Sequence, residues 1–474
     1  MRLSSLFLIL AAVISISAQS RRATPPANAR QAAAADSTGN RPVKALFDEA
    51  NIYAKTKEAE YDQKKIKKTD ALLEQTLRER KQLAAKYSAA AELRPSPSAE
   101  DVYYTGMLHW LADNMDGTRS AFEKFLMTPE PTGERAQTAR TMLVIAASKQ
   151  KRLADGEKLL SEYRELGPVK QTEIGRMEVE LAKAYTAQKE HAKAAAHAVE
   201  ALAAYRSITL DPATRGRGAD ELLDAGMIAF EAYKAAGDRK NAEASLNSLR
   251  KTAAELNSSS FYYYAVDQLI KYQIQTGRKP EAMETFAGAL LLANKDLATK
   301  QAANDVIQRL KKRERQYRLL GETAPEIEQF EQWFPGKPVT LESLRGKVVL
   351  LDFWATWCLP CLEAFPHLKE WYQDHEKNGF VILGLTRYYG MVGGLSADEE
   401  HELEFLRKFR ETWRLPYDFV ITKDQRNQIT YGATTLPTAA LIDRKGVIRY
   451  LESGTNPTRI EEMRSMIETL MAER

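Results

Sequence analysis

Two cysteines are all that this 474-residue chain contains, and they stand three apart in Trp357-Cys358-Leu359-Pro360-Cys361. Such close spacing of the entire cysteine content reads as one chemical unit. Its surroundings restrict the fold that can carry it. Val348-Val349-Leu350-Leu351-Asp352-Phe353-Trp354-Ala355 is an apolar, β-prone run, the pattern of a buried parallel strand. After the pair, Leu362, Phe365, Leu368 and Tyr372 recur at helical spacing in a segment that reaches Lys377. Pro366 is predicted to kink that helix without ending it, because the apolar spacing continues past it. The cysteines therefore fall where a strand ends and a helix begins. Unpaired backbone N–H groups and the helix dipole stabilise a thiolate at the first of them. The thiolate is the species that attacks a disulfide.

The segment from Val349 to Cys361 resembles the active-site segment of thioredoxins. Within that superfamily it is most similar to the extracytoplasmic TlpA/ResA-type thiol-disulfide oxidoreductases. Gly321-Glu322-Thr323-Ala324-Pro325 resembles the family's entry segment, and Leu341-Glu342-Ser343-Leu344-Arg345-Gly346-Lys347 its approach to the strand. Tyr431-Gly432-Ala433-Thr434-Thr435-Leu436-Pro437-Thr438 and Leu441-Ile442-Asp443-Arg444-Lys445-Gly446 continue the likeness. It covers residues 321–474, which are expected to form an α/β thioredoxin-like domain.

The resemblance implies roles for individual residues. Cys358 matches the exposed nucleophile that forms the mixed disulfide, and Cys361 the buried resolving thiol. Pro437 matches the family's cis-proline, which faces the disulfide across the site; proline is the residue for which a cis bond costs little. The Leu436 backbone beside it is expected to pair with an extended substrate segment. Asp352 matches the buried acid of thioredoxins, which relays a proton to or from the resolving cysteine. The TlpA/ResA type often carries a glutamate three residues after the second cysteine instead. Here that position is Ala364, and Glu363, one residue earlier, reads as a solvated helix residue. Trp357 is placed to shield the thiolate. Leu359 and Pro360 carry no charge or imidazole to acidify Cys358, which favours reduction or isomerisation of disulfides over strong oxidation.

Plainer readings stand beside these. The pair is alternatively a structural disulfide, though so short a loop gains little closure stability. A zinc site needs about four ligands, and none of the six histidines makes a second pair at ligand spacing near Cys358. Asp352 is alternatively a strand-edge carboxylate, Pro437 a turn proline, and Trp354 and Trp357 core or rim aromatics. The motif calls for no cofactor and no metal.

Arg2 precedes an apolar stretch from Leu3 to Ile16, and Ile16-Ser17-Ala18 offers a small-residue cleavage site. The stretch is short for a membrane span and predicts a signal peptide over 1–18, with an uncleaved anchor as the alternative. No cysteine follows it to take a lipid. Export would put the cysteine pair in a periplasmic or secreted setting, where disulfides persist. Residues 19–44, rich in Ala, Arg, Ser and Pro without periodicity, read as a flexible linker.

From 45 to 318 the chain reads as helix after helix. A turn, a small residue five positions on and further apolar residues recur: Gly237 with Ala242, Leu246 and Leu249, and Gly277 with Ala282, Phe286 and Ala289. Weaker copies start at Lys189 with Ala194, Lys151 with Gly156 and Asp116 with Ala121. The pattern resembles degenerate tetratricopeptide repeats, whose small residues let paired helices approach closely; an irregular helical bundle is the alternative. Tyr262, Tyr263 and Tyr264 would line a concave binding face or sit in the core. The last helix is expected over Lys311–Leu320, stopped by Gly321.

In the C-terminal part, strands are expected at 348–355, 380–386, 417–421, 438–443 and 447–452, and helices at 359–377, 397–413, 424–431 and 457–472. The glycine-rich Tyr388–Asp398 stretch reads as a surface insertion, or else as a mobile loop at the site. Net charge is +4 against 68 basic and 64 acidic residues, which gives no case for nucleic acid. The expected whole is a multidomain chain: an α-helical, tetratricopeptide-like repeat region, then an α/β thioredoxin-like domain. It is read as an exported thiol-disulfide oxidoreductase. Its expected partners are client proteins with disulfides, an electron donor of unspecified identity, and a protein partner on the repeats. A thiol peroxidase is the enzyme alternative, and a repeat scaffold with a redox-sensing domain the non-enzyme one.

Overall fold

A computed structural model of the chain describes residues 41–129 and 133–473. The predicted signal peptide and most of the predicted linker lie outside the described residues. Among the described residues there are seventeen α-helices, thirteen of which precede the first strand. Two compact units are distinguished, one ending at Glu173 and the other beginning at Ile174. No described helix is long and apolar enough to cross a membrane.

In the first unit the helices are α1 Val43–Gln63, α2 Asp70–Glu92, α3 Ala99–Leu111, α4 Met115–Leu126, α5 Gly133–Lys149 and α6 Leu153–Leu166. Helix α1 begins within the expected linker, directly after Pro42. Ser98 opens α3 with a capping box closed by Asp101, which satisfies two otherwise unpaired N–H groups. Val43, Leu46, Tyr87, Tyr103, Phe122 and Phe125 share one core. Gly106 lies inside α3 because a Cβ there would come 2.8 Å from the Phe122 ring.

Helix α7, Gln171–Ala187, crosses the boundary between the units. Beyond it come α8 His191–Leu210, α9 Ala219–Ala235, α10 Arg239–Glu255, α11 Ser259–Gln275, α12 Lys279–Asp296 and α13 Lys300–Leu319. Four predicted turns are left-handed residues between helices: Lys151 (φ 60°), Lys189 (φ 62°), Gly237 (φ 74°) and Gly277 (φ 76°). The small residues five positions on, Gly156, Ala194, Ala242 and Ala282, are all buried. The weakest copy is misplaced: Asp116 lies inside α4, and the left-handed residue there is Asp113. Tyr262 is core, its hydroxyl donating to Asp296 at 2.8 Å, while Tyr263 and Tyr264 are half-buried. Helix α13 starts at Lys300, eleven residues before the expected start at Lys311, because Thr299 caps it by accepting from the Ala302 N–H.

The C-terminal sheet comprises β1 Phe330–Phe334, β2 Val348–Phe353, β3 Phe380–Arg387, β6 Asp418–Thr422, β7 Thr438–Ile442 and β8 Ile448–Ser453, ordered β1-β6-β3-β2-β7-β8. Strands β2, β3 and β6 run parallel, while β7, β8 and β1 are antiparallel to their neighbours. Its helices are α14 Leu359–His375, α15 Glu399–Trp413, α16 Arg426–Tyr431 and α17 Pro457–Ala472. Helix α14 runs through Pro366. Two elements depart from expectation. Edge strand β1 was not foreseen, since Phe-Glu-Gln-Trp-Phe is short, half-exposed and stopped by Pro335. The Tyr388–Asp398 stretch forms a small hairpin, β4 Met391–Val392 with β5 Leu395–Ser396.

Strand alternation gives the sheet two apolar faces. Val348 and Leu350 pack with Phe365, Leu406 and Ile467 of α14, α15 and α17. Val349, Leu351 and Phe353 share the opposite core with Tyr262, Ile270, Phe286, Leu310 and Tyr317. Helices α11 to α13 thus supply part of the cover for one face of the sheet.

An ionic cluster lies within the same packing. The buried carboxylate of Glu452 on β8 meets Lys271 Nζ, Arg313 Nη2 and Arg459 Nη1, each at 2.8 Å. Asp267 joins it, accepting from Tyr317 Oη at 2.6 Å. Burial pushes the Glu452 carboxyl up, but the three cations outweigh that and hold it at about 2.

Candidate active site

The buried run of β2 ends at Phe353, and Cys358 is the N-cap of α14. Cys358 and Cys361 form a disulfide with S–S 2.04 Å, and the Cys361 N–H points at Cys358 Sγ at 3.3 Å. The resemblance implied an exposed nucleophile; in this disulfide form Cys358 is only 4% exposed and Cys361 1%. Both pack among Trp354, Phe365 and Leu368. The exposed parts of the motif are Trp357, at 55%, together with Leu359 and Pro360. The Pro360 carbonyl accepts from Thr455 Oγ1 at 3.2 Å.

Asp352 is 4% exposed, a buried strand residue and not an edge carboxylate. By strand alternation it lies on the face of Val348 and Leu350, the side whose core contains both cysteines. Burial alone pushes its carboxyl up to about 7, so near neutral pH it can both take and give a proton. Its register partners are Gly384 on β3 and Ala439 on β7. A Cβ at Gly384 would stand 3.0 Å from Trp354 Nε1 and 3.4 Å from the Tyr417 ring, so the glycine lets both aromatics close in. Tyr417 is buried, and its hydroxyl is held well above its usual range by burial and then by the Asp352 charge. No hydrogen-bond partner reaches Tyr417 Oη among the described residues. Glu363 is exposed and Ala364 buried.

The Leu436–Pro437 peptide is cis, and Pro437 is buried. Leu436 is half-buried and touches both cores of the sheet. A chain of bonds fixes this loop: Thr438 Oγ1 donates to the Thr435 carbonyl at 2.6 Å and lies 2.7 Å from Ser453 Oγ. Gln316 of α13 donates through Nε2 to the Gly432 carbonyl at 3.0 Å.

Trp357 and Leu436 line one groove of about 570 Å³ with Arg387, Tyr389 and Gln428. Trp357 meets Tyr389 edge to face at 5.3 Å, and the Arg387 guanidinium lies over the Tyr389 ring at 4.2 Å. The root of the Tyr388–Asp398 stretch is therefore part of the site, against the reading of a mere surface insertion. The buried Glu402 carboxylate anchors it by accepting from the Tyr389 and Gly390 N–H groups at 2.9 and 2.8 Å. Arg387, Tyr389, Tyr417 and Gln316 escaped the sequence reading. The Tyr388-Tyr389-Gly390 cluster was the one local signal.

The Redoxin family profile matches residues 319–470. Thiol-disulfide oxidoreductase ResA of Geobacillus thermodenitrificans is 33% identical over 136 residues, which are 29% of this chain and 70% of that protein. Protein DipZ of Mycobacterium tuberculosis is 31% identical over 144 residues, 30% of this chain, and the chain spans 20% of that relative's length. A solved structure described as a putative thiol:disulfide interchange protein DsbE from Chlorobium tepidum matches at 28% identity. That match covers 32% of this chain and 98% of the other, with a TM-score of 0.25.

Proposed function

The chain belongs to the ResA-type thiol-disulfide oxidoreductases, and from that premise we propose that it exchanges disulfides with client proteins through Cys358 and Cys361. The observation that carries the reading is the Cys358–Cys361 disulfide at the N-terminus of α14, with Asp352 buried on the same side of the sheet. Starting from the dithiol form, the Cys358 thiolate attacks a client disulfide. One client sulfur bonds to Cys358 and the other leaves as a thiolate. Cys361 then gives its proton to Asp352 and attacks the Cys358 sulfur. The client leaves as a dithiol, its two thiolates taking up the proton from Asp352 and one from solvent, and the enzyme is left as the disulfide. A dithiol donor must restore the reduced form, since each turnover moves two electrons to the client.

In this reading Cys358, Cys361, Asp352 and Pro437 carry the exchange, and Trp357, Pro360 and Leu436 shape its mouth. Residues 321–474 serve as the thioredoxin-like part. Residues 45–318 serve as a tetratricopeptide-like partner-binding part, supported by the buried small residues after the left-handed turns. The uncharged Leu359-Pro360 dipeptide favours a reductant or isomerase. Export rests on the apolar Leu3–Ile16 run, with its alternative of an uncleaved anchor.

Turnover of insulin disulfides by the full chain, with dithiothreitol as donor, tests the reading. Acceleration over dithiothreitol alone that is lost in Cys358→Ser is expected. Equal rates for parent and variant would overturn it. Peroxide consumption by the same protein would favour the peroxidase alternative.

A further inference from the structure

The groove beside the disulfide does not end at the thioredoxin-like part. Ile429, Thr434 and Thr435 line it on one side and line a second hollow, of about 700 Å³, on the other. The far wall of that second hollow is helix α13, which presents Lys311, Lys312 and Arg315. All three are exposed. Arg315 is held against the groove by donating through Nε to the Thr430 carbonyl at 2.9 Å. Among the described residues none of the three makes an ion pair, although neighbouring basic residues of the same helix do: Arg309 with Asp305 and Arg318 with Glu314. With Arg387 at the disulfide end, four cations border the two hollows, and no aspartate or glutamate lines either among the described residues. The Nε of Arg387 is buried without a hydrogen-bond partner.

We propose that α13 extends the client groove and selects extended client segments that carry acidic side chains near the reactive cysteine. This deepens the disulfide-exchange reading and rests on it. Charge complementarity names the occupant: a long groove bordered by four cations, and lined by no carboxylate among the described residues, attracts anionic side chains and repels basic ones. Reach sets the distance. Four residue steps separate Leu436 from Gly432, a span of at most about 14 Å, so the acids belong about three to five client residues from the cysteine. Exposed charge pairs are individually weak, so the effect is a preference among clients and is screened by salt.

The test uses the reduced full-length protein and two synthetic peptides. Each carries one cysteine as a mixed disulfide with thionitrobenzoate, whose release is followed by absorbance. One peptide has glutamates three to five residues from the cysteine on both sides, the other glutamines. The glutamate peptide is expected to react about tenfold faster at low salt. The ratio should fall toward one at high salt and in Lys311→Gln/Lys312→Gln. In Lys311→Glu/Lys312→Glu the order should reverse against a lysine peptide. Equal rates for the two peptides in the parent, or an unchanged ratio in the variants, overturns the proposal and leaves disulfide exchange standing. Failure of both peptides and of insulin overturns the exchange reading, and this proposal with it. A second copy of the chain on this face would appear as a concentration-dependent dimer lost in Lys311→Glu/Lys312→Glu, and would likewise overturn it.

Discussion

Gln316, on the last helix before the sheet, donates a hydrogen bond through Nε2 to the carbonyl of Gly432 at 3.0 Å. That carbonyl belongs to the loop that ends in the cis Leu436–Pro437 peptide. The contact is close enough to dictate the residue on the other side. Gly432 has φ 64°, and a Cβ there would come 3.1 Å from Gln316 Cγ and 3.2 Å from Arg315 Cβ. The helical region thus bears directly on the loop whose Leu436 shares a groove with Trp357.

Replacement of Gln316 by alanine is expected to leave the Gly432 carbonyl buried without its donor. The loss should be about 1–3 kcal/mol, read from urea unfolding of the full chain. Exchange with insulin should slow as well, because the loop before Pro437 loses its brace. A stability loss with no change in rate would show that the brace does not act on the site.

Much of the site was legible in the sequence because its signals are local. An apolar run, two cysteines three apart and helical spacing put the strand, disulfide and helix where they are found. Asp352 stood out as a charge inside that run. The unforeseen parts depend on contacts between distant segments. Gln316 meets Gly432 across 116 positions, and Arg313 meets Glu452 across 139. A glutamine or arginine on an amphipathic helix carries no local mark of such a partner. Tyr417 and Gly384 take their meaning from Asp352 on another strand. Edge strand β1 lacked the continuous apolar run that made the central strands plain.

Acid should weaken the ionic cluster around Glu452. Its folded pKa, about 2, lies below the ordinary 4.5, so its contribution is present above pH 4.5 and is lost as pH falls toward 2. Glu452→Gln should remove that part of the pH dependence and destabilise by about 3–5 kcal/mol, because buried Lys271 and Arg313 and half-buried Arg459 lose the carboxylate they share. A variant as stable as the parent at pH 7, with the same acid limb, would contradict the cluster's role.

Asp352 acts in the opposite sense. Its folded pKa is raised from 3.8 to about 7, so the folded state holds its proton more tightly than the unfolded chain. Its contribution is complete below pH 3.8 and is lost as pH rises through about 7. Stability of the oxidised protein should therefore fall over that window by on the order of 4 kcal/mol relative to Asp352→Asn. The same variant should slow release of the mixed disulfide more than its formation, because Cys361 loses its proton acceptor. Parallel pH–stability curves for parent and variant would mean that the carboxyl is not buried in solution.

The shared core makes a prediction about fragments. Residues 321–474 made alone would lose Tyr262, Ile270, Leu310 and Tyr317 from the face of Val349, Leu351 and Phe353, together with Lys271 and Arg313. Urea should unfold this fragment at a lower midpoint than residues 174–474. Equal midpoints would show that the helices add contact without stability.

The central claim is that Cys358 attacks and Cys361 resolves, and covalent trapping in the native compartment reads it directly. Full-length Cys361→Ser should accumulate mixed disulfides between Cys358 and client proteins, seen as high-mass bands that vanish on reduction and mapped to Cys358 by mass spectrometry. Cys358→Ser should trap little, because Cys361 lies inside α14 and lacks the N-cap position that stabilises a thiolate at Cys358. Equal trapping by both variants, or trapping by Cys358→Ser alone, would contradict the account.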